Sequence, residues 1–354
     1  MKIAPICEEI KRHPNLEPIL VHTGQHYDRK MNQVFFEDLR IPKPDINLGV
    51  GSGSHAVQTA QIIERLERAL LKVKPDLVLV VGDVNSTFAS ALVAKKMGIK
   101  VAHIEAGLRS FDRTMPEEIN RILTDAISDF LFVTEECGVE NLRREGVPDE
   151  KIFLVGDVMI DTLFKNKPNA NKSDILGRLG LKAKSFSTLT LHRPSNVDEK
   201  KTLKSIFTGL TEVQEKITIV FPAHPRTLKN IQRFGFESEI INMRGLIVTQ
   251  PLGYLDFLKL LLESRFVLTD SGSIQEETTA LGIPCITLRE NTERPITLER
   301  GTNVLVGRDP ERIVEESLKA LSNNHPEPPD IPYWDGHAAE RIVTILAQAL
   351  RGEQ

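Results

Sequence analysis

The sequence predicts an α/β protein made of two similar doubly wound domains in tandem. Two observations point there. Short apolar, β-branched runs alternate with longer segments of helical spacing, and a polar stretch interrupts that alternation once near the middle. A third observation concerns chemistry: the acids, histidines and small-residue turns that stand out all fall at the carboxyl ends of strands, where such sheets hold ligands.

In the first series the expected strands are Ile19–Thr23, Leu77–Gly82, Val101–Glu105, Phe130–Thr134 and Ile152–Val155. They are almost wholly apolar, as strands covered on both faces are. Val57, Ala60, Ile63, Leu66 and Leu70 recur at helical spacing with charges opposite, and Gly49-Val50-Gly51-Ser52-Gly53 reads as a loop before a helix starting near His55. The stretch Lys165–Lys184 turns polar, with Pro168 and several Asn, and reads as the link between domains. The second series is Ser187–Leu191, Thr218–Phe221, Leu246–Thr249, Phe266–Thr269, Cys285–Leu288 and Asn303–Val306, followed by a last helix over Gly336–Leu350. This sets an N-terminal domain at 1–166, a C-terminal domain at 167–335 and a terminal helix at 336–354 that returns to the first domain.

The 354 residues suit two domains, and 40% apolar with 27% charged residues supports ordinary globular cores. A net charge of −4 gives no footprint for nucleic acid or an anionic membrane, so an anionic ligand must be held by local cations. Cys7, Cys137 and Cys285 are odd in number and far apart, which fits a reducing compartment and offers neither a disulfide framework nor zinc spacing. Charged Lys2, Glu8 and Glu9 interrupt any signal peptide, and apolar runs such as Leu77–Val81 are too short to span a membrane. A cytoplasmic enzyme without a metal is expected.

Asp83 ends one buried strand and Glu105 the next. An acid there meets a ligand or caps the following helix, and for Asp83 the two readings weigh equally. Met115-Pro116-Glu117-Glu118-Ile119-Asn120-Arg121 opens a helix; Thr114 and Glu117 fit a capping box, and Glu117 and Arg121 share one helical face. Asp83, Glu105 and Glu117 converging on one interdomain cleft would repel one another, so one should stay protonated near neutrality, as a general acid must. His192-Arg193-Pro194 and His224-Pro225-Arg226 each follow a strand, with no metal-ligand spacing. In Thr269-Asp270-Ser271-Gly272-Ser273-Ile274-Gln275-Glu276-Glu277 a strand meets a helix through small residues, a turn suited to phosphate. Ser273 and Glu276 fit a second capping box, Gly282 a C-cap, and Glu277 is placed to accept ribose hydroxyls. Arg294, in Asn291-Thr292-Glu293-Arg294-Pro295, is a candidate fork for a diphosphate or a solvated loop residue.

Taken together these stretches resemble the non-hydrolysing UDP-N-acetylglucosamine 2-epimerases. The matching runs include Gly24-Gln25-His26-Tyr27-Asp28, His103-Ile104-Glu105-Ala106-Gly107-Leu108-Arg109, Pro116-Glu117-Glu118-Ile119-Asn120-Arg121, Val155-Gly156-Asp157, His192-Arg193, Thr269 through Glu277, and Thr292-Glu293-Arg294-Pro295, in the family's order. The resemblance implies a glycosyltransferase-B-type fold of two Rossmann-like domains, usually a homodimer. It implies interconversion of UDP-N-acetylglucosamine and UDP-N-acetylmannosamine through elimination of UDP to 2-acetamidoglucal, without a redox cofactor, commonly for surface polysaccharide. It assigns Asp83, Glu105 and Glu117 as acid–base carboxylates and His192 as the catalytic histidine near the departing diphosphate. Ser271, Gly272 and Ser273 would hold phosphate, Glu277 the ribose, Arg294 the sugar or diphosphate, and Phe257 the uracil; Lys2, Arg121 and Arg193 complete the substrate contacts. An activating second substrate site would take Gln25, His26 and His224, although Gly51-Ser52-Gly53-Ser54-His55 lacks an arginine that some members place there.

The family starts with a strand and a Gly-Thr-Arg-Pro-Glu turn, whereas this chain starts at Met1-Lys2-Ile3-Ala4-Pro5, inside the helix that follows. A misassigned start or a shortened chain is the expectation. Rival readings are a hydrolysing 2-epimerase that releases N-acetylmannosamine and UDP, an epimerase of a uronic-acid or diacetamido UDP-sugar, a glycosyltransferase, and a non-catalytic UDP-sugar-binding protein. A nicotinamide-dependent epimerase is disfavoured, since no Gly-x-Gly-x-x-Gly opens a first βα unit.

Overall fold

The computed structural model describes residues 1–25 and 36–351. These divide into two compact units, Met1–Lys165 with Pro332–Gln354, and Asn166–Ile331.

The first unit carries a four-stranded parallel sheet, β3 (Leu77–Val81), β4 (Lys100–Ala106), β5 (Phe130–Val133) and β6 (Ile152–Leu154), in that spatial order. Two short strands, β1 (Val21–His22) and β2 (Ile46–Asn47), form a separate parallel pair. The second was not legible as a strand, because two residues after Pro44-Asp45 carry no period. Helices His55–Val73, Asn85–Lys96 and Pro116–Ile127 cover one side, and Leu66, Leu70, Ala91, Val93 and Ala94 pack on Val80 and Val101. The expected stripe on the first of these helices is only partly core: Ile62, Leu66 and Leu70 are buried, while Val57 is 49% exposed. The terminal helix, Ala338–Arg351, buries Ala338, Ile342, Val343 and Leu346 in the cluster that holds Ile6, Ile104 and Phe132.

The second unit is one six-stranded parallel sheet, ordered β12 (Asn303–Leu305), β11 (Cys285–Thr287), β10 (Val267–Thr269), β7 (Phe186–Thr190), β8 (Thr218–Pro222), β9 (Leu246–Thr249). Its largest core lies between this sheet and helices such as Lys200–Val213, with Phe207, Phe221, Phe266 and Leu268 at its centre. Chain order reverses between β7 and β10, which pair in register through Thr190 and Thr269. That is the topological switch point, so the two loops leaving these strands diverge around a crevice.

The polar stretch Lys165–Lys184 is not an open link, since Val158–Ala170 and Ile175–Arg178 are helical. Pro168 sits in the last turn of the first, where the helix is about to stop. Among the described residues no helix is long and apolar enough to cross a membrane.

Candidate active site

In the first unit the ends of β3 and β4 gather acids and cations. β4 changes register between Ile104 and Ala106, and Glu105 between them adopts φ 70°. A non-glycine residue held there is strained, and such a bulge re-aims the side chain. Glu105, only 4% exposed, receives the Lys2 ammonium at 2.5 Å. Lys2 also lies over Gly82, where a Cβ would come within 3.1 Å of its Nζ.

Asp83, the next residue, is not a helix cap. Val84 holds that position before Asn85–Lys96, and Asp83 accepts from Arg121 Nη1 at 2.7 Å instead. Asn120 donates to the Asp83 carbonyl at 2.9 Å. The expected mutual repulsion of the three acids is therefore answered by cations at two of them.

One expectation about the Pro116–Ile127 helix fails. Met115 is its N-cap, with no side-chain cap bond, and Thr114 Oγ1 donates to Asp112, so there is no Thr114–Glu117 capping box. Arg121 does not pair with Glu117. It binds Glu118 three residues before it, at 3.1 Å, and so bridges Glu118 to Asp83. Glu118 is fully buried and also accepts from Ser110 N at 2.9 Å, Ser110 Oγ at 3.0 Å and Phe111 N at 2.9 Å. Glu117 is half-buried and bonds none of the described residues. The sequence placed two acids side by side and gave no sign of which one the fold would bury.

His103 is fully buried beneath these residues. Its Nδ1 meets Asp125 at 2.6 Å and its Nε2 meets the Gly82 carbonyl at 2.9 Å.

In the second unit the switch point holds His192 and Asp270 together. Asp270 is fully buried and accepts from the backbone N–H groups of His192 at 3.0 Å and Arg193 at 2.9 Å. Its other oxygen lies 2.9 Å from His192 Nδ1. Burial would raise this carboxyl, but the His192 ring and the backbone N–H groups reverse that and hold it below the usual aspartate value. The His192 side chain is 41% exposed, and no described residue bonds Nε2. Asp270 had no role in the sequence reading, although its position directly after a strand was a usable signal. The His224 ring lies 6.1 Å from that of His192, and its Nδ1 accepts from Arg226 N, capping the Pro225–Phe234 helix.

The Ser271–Gly272 turn opens the Gly272–Leu281 helix. Ser271 is the N-cap and its Oγ lies 3.1 Å from that of Ser273, which is already helical; the expected Ser273–Glu276 capping box is absent. Glu276 binds Arg294 instead. Gly282 ends the helix at φ 66°, as expected of a C-cap. Glu277 is fully buried and accepts from the Tyr254 hydroxyl at 3.0 Å. Burial pushes its carboxyl up to about 7. Arg294 is neither an open fork nor a solvated loop residue: it is 5% exposed and bonds Glu276 and Glu293, the latter at 2.6 Å. Phe257 is half-buried against Leu261, Val267, Ile274 and Ile283.

Of the three residues expected at a second ligand site, Gln25 accepts from Ser86 N at 3.0 Å and Ser86 Oγ at 2.6 Å. His224 belongs to the other unit, and His26 lies outside the described residues.

Comparison with known proteins bears on what these groups do. The family model described as UDP-N-acetylglucosamine 2-epimerase matches residues 8–347. A UDP-N-acetylglucosamine 2-epimerase of Methanococcus maripaludis is 44% identical, over 98% of this chain and 94% of that protein. A UDP-2,3-diacetamido-2,3-dideoxy-D-glucuronate 2-epimerase of Pseudomonas aeruginosa is 42% identical, over 98% and 96%. The crystal structure of the Methanocaldococcus jannaschii UDP-GlcNAc 2-epimerase, in complex with UDP-GlcNAc and UDP, superposes with a TM-score of 0.92 at 43% identity, covering 98% of this chain and 96% of that one.

Proposed function

The chain belongs to the UDP-N-acetylglucosamine 2-epimerase family, and from that footing we propose that it interconverts UDP-N-acetylglucosamine and UDP-N-acetylmannosamine at carbon 2 without hydrolysis. The observation that carries this reading is the pair of acids Asp83 and Glu105 at neighbouring strand ends, each bound by a cation. Acids so placed suit proton transfer on opposite faces of one carbon.

The proposed reaction balances without an external reductant. A carboxylate takes the carbon 2 proton, the C2–H pair forms the C1=C2 bond, and the C1–O bond breaks with its electron pair leaving on UDP. UDP then adds back to carbon 1 while carbon 2 receives a proton on the other face. We assign the proton chemistry to Asp83, Glu105 and Glu117, with Lys2 and Arg121 setting their charge. His192 stabilises the departing diphosphate through Nε2, since Asp270 ties down Nδ1. Ser271, Gly272 and Ser273 would hold phosphate, Arg193 and Arg294 the surrounding charge, Glu277 the ribose and Phe257 the uracil.

Proton NMR of UDP-N-acetylglucosamine with the protein in deuterated water tests this. Deuterium at carbon 2 of both epimers, without free sugar, is expected. Growth of free N-acetylmannosamine would overturn the non-hydrolysing assignment. A second reading keeps the chemistry but changes the ring, because the diacetamido-glucuronate relative is almost as similar as the N-acetylglucosamine one. Turnover of that UDP-sugar in preference would select it.

We further propose a homodimer through the first unit. A groove of about 370 Å3 lies among the three helices, lined by Ala60, Ile63, Phe88, Ile119 and Leu123. Of these, Ile119 and Leu123 are 46% and 41% exposed, an apolar patch that a copy of the same face would cover. Sedimentation of the wild type as a dimer and of Leu123→Asp as a monomer is expected. Cys7, Cys137 and Cys285 form no disulfide, which supports a cytoplasmic setting.

A further inference from the structure

We infer that Glu293 is a positioning residue for the diphosphate: it gathers the guanidinium groups of Arg193, Arg289 and Arg294 into one anion receptor against the Gly272 turn. This rests on the reading above, in which that turn holds the phosphates of a nucleoside diphosphate.

Glu293 is 2% exposed and receives three arginines from three places in the unit. Arg193 leaves β7 and reaches it at 3.1 Å, Arg289 leaves β11 and reaches it at 2.7 Å, and adjacent Arg294 closes at 2.6 Å. Arg193 is also fixed by its Nε donating to the Asp270 carbonyl at 3.0 Å. Arg294 spans from Glu293 to Glu276 within the helix that the turn begins. Thr292 Oγ1 donates to Gln275 at 2.7 Å, pinning the loop that carries Glu293 to the same helix.

Two features separate this cluster from a purely structural ion-pair knot. Arg289 is 5% exposed, yet its Nη1 has no hydrogen-bond partner. A buried donor left so is an expense that an incoming anion would remove. The cluster also touches the turn directly. A Cβ on Gly272 would lie 2.5 Å from Arg294 Nη1 and 2.8 Å from Glu293 Oε1, so a side chain there would displace the Glu293–Arg294 pair from the helix start. Helix N-terminal N–H groups and guanidiniums then address the same ligand.

Calorimetric titration of the full chain with UDP and with uridine tests the inference. Glu293→Gln keeps the shape of the hub and removes its charge, so the local positive charge rises by one. If charge alone held the diphosphate, UDP would bind more tightly. Positioning requires the opposite: UDP weaker by about 10- to 100-fold with uridine affinity unchanged, and partial recovery in Glu293→Asp. UDP binding equal to or tighter than wild type in a folded Glu293→Gln protein overturns the inference. Should that variant not fold, Arg289→Lys keeps the charge and loses the fork; UDP binding unchanged there overturns it equally. A wild-type chain that binds no UDP overturns the functional reading instead.

Discussion

Among the described residues each unit holds a histidine–aspartate pair, and the pairs differ in what the far nitrogen of the ring meets. In the first unit His103 Nδ1 meets Asp125 at 2.6 Å; in the second His192 Nδ1 meets Asp270 at 2.9 Å. Both carboxylates are buried, and in both burial is overcome and the acid held below its usual value, at Asp125 by the His103 ring, Arg109 and one N–H and at Asp270 by the His192 ring and two N–H groups. The far nitrogen decides the role. His103 Nε2 is spent on the Gly82 carbonyl and the ring is fully buried, whereas the His192 ring is 41% exposed with Nε2 unbonded by any described residue. With both nitrogens used the His103 pair is a brace, and the nitrogen left over at His192 is what the proposed role at the diphosphate requires. The largest expected effect follows: His192→Asn lowers epimerisation by about 10²- to 10⁴-fold and leaves the thermal midpoint near wild type. Loss of fold together with activity in that variant would break the contrast.

The opposite change sharpens it. Asp125 holds His103, Arg109 at 2.8 Å and Gly107 N at 3.0 Å, all inside the first unit. Asp125→Asn takes from His103 its carboxylate and leaves the buried Arg109 with Glu145, at 2.6 Å, as its remaining counter-charge, and a cost of about 3–5 kcal/mol is expected in urea unfolding. The protein that remains folded should turn over at the wild-type rate per active site. A rate defect without a stability defect would make His103–Asp125 part of the chemistry.

Legibility followed the same line. The fold class could be read, because strands buried on both faces write themselves as uninterrupted apolar runs: Leu77–Val81, Phe130–Val133 and Thr218–Pro222 emerge nearly where the pattern put them. Ile46–Asn47 could not, since a two-residue strand has no period. Candidate residues were legible by type and place, as strand-end acids and a histidine before an arginine. Their partners were not. Nothing local distinguishes Glu117 from Glu118, and the arginine hub at Glu293 joins residues up to 100 positions apart. Asp270 stands among small residues that suit phosphate, so its residue type alone does not reveal the histidine it holds. Side-chain pairing across strands depends on register and on helix rotation, which residue types alone do not fix.

Buried carboxylates without a cationic partner extend the comparison. Glu277 has the Tyr254 hydroxyl instead, and burial, with Glu276 nearby, outweighs that bond and raises it from 4.5 to about 7. Between those two values the folded state keeps a proton that the unfolded chain releases, so stability falls as pH rises through the window. The full span corresponds to about 3 kcal/mol. Urea midpoints of the second unit at pH 4.5 and pH 7.5 should show the decline, and Glu277→Gln should flatten it. A wild-type midpoint that rises across this window would mean that Glu277 is held ionised.

Asp161 is the mildest case. It accepts from the backbone N–H groups of Ala338 at 3.1 Å and Ala339 at 2.7 Å, and burial, with Asp335 nearby, raises its carboxyl above the usual value despite both bonds. Those two N–H groups begin the Ala338–Arg351 helix, so a residue far back in the chain serves as its cap. Asp161→Ala should cost about 0.5–2 kcal/mol, and Asp161→Asn less, since the amide oxygen still accepts. The loss should be local, because this helix buries Ile342, Val343 and Leu346 against the sheet and its amides report its docking. Amide exchange across 342–350 should quicken in the alanine variant while that of β4 holds. Equal protection in both would assign the docking to apolar packing and leave the carboxylate without a role in it.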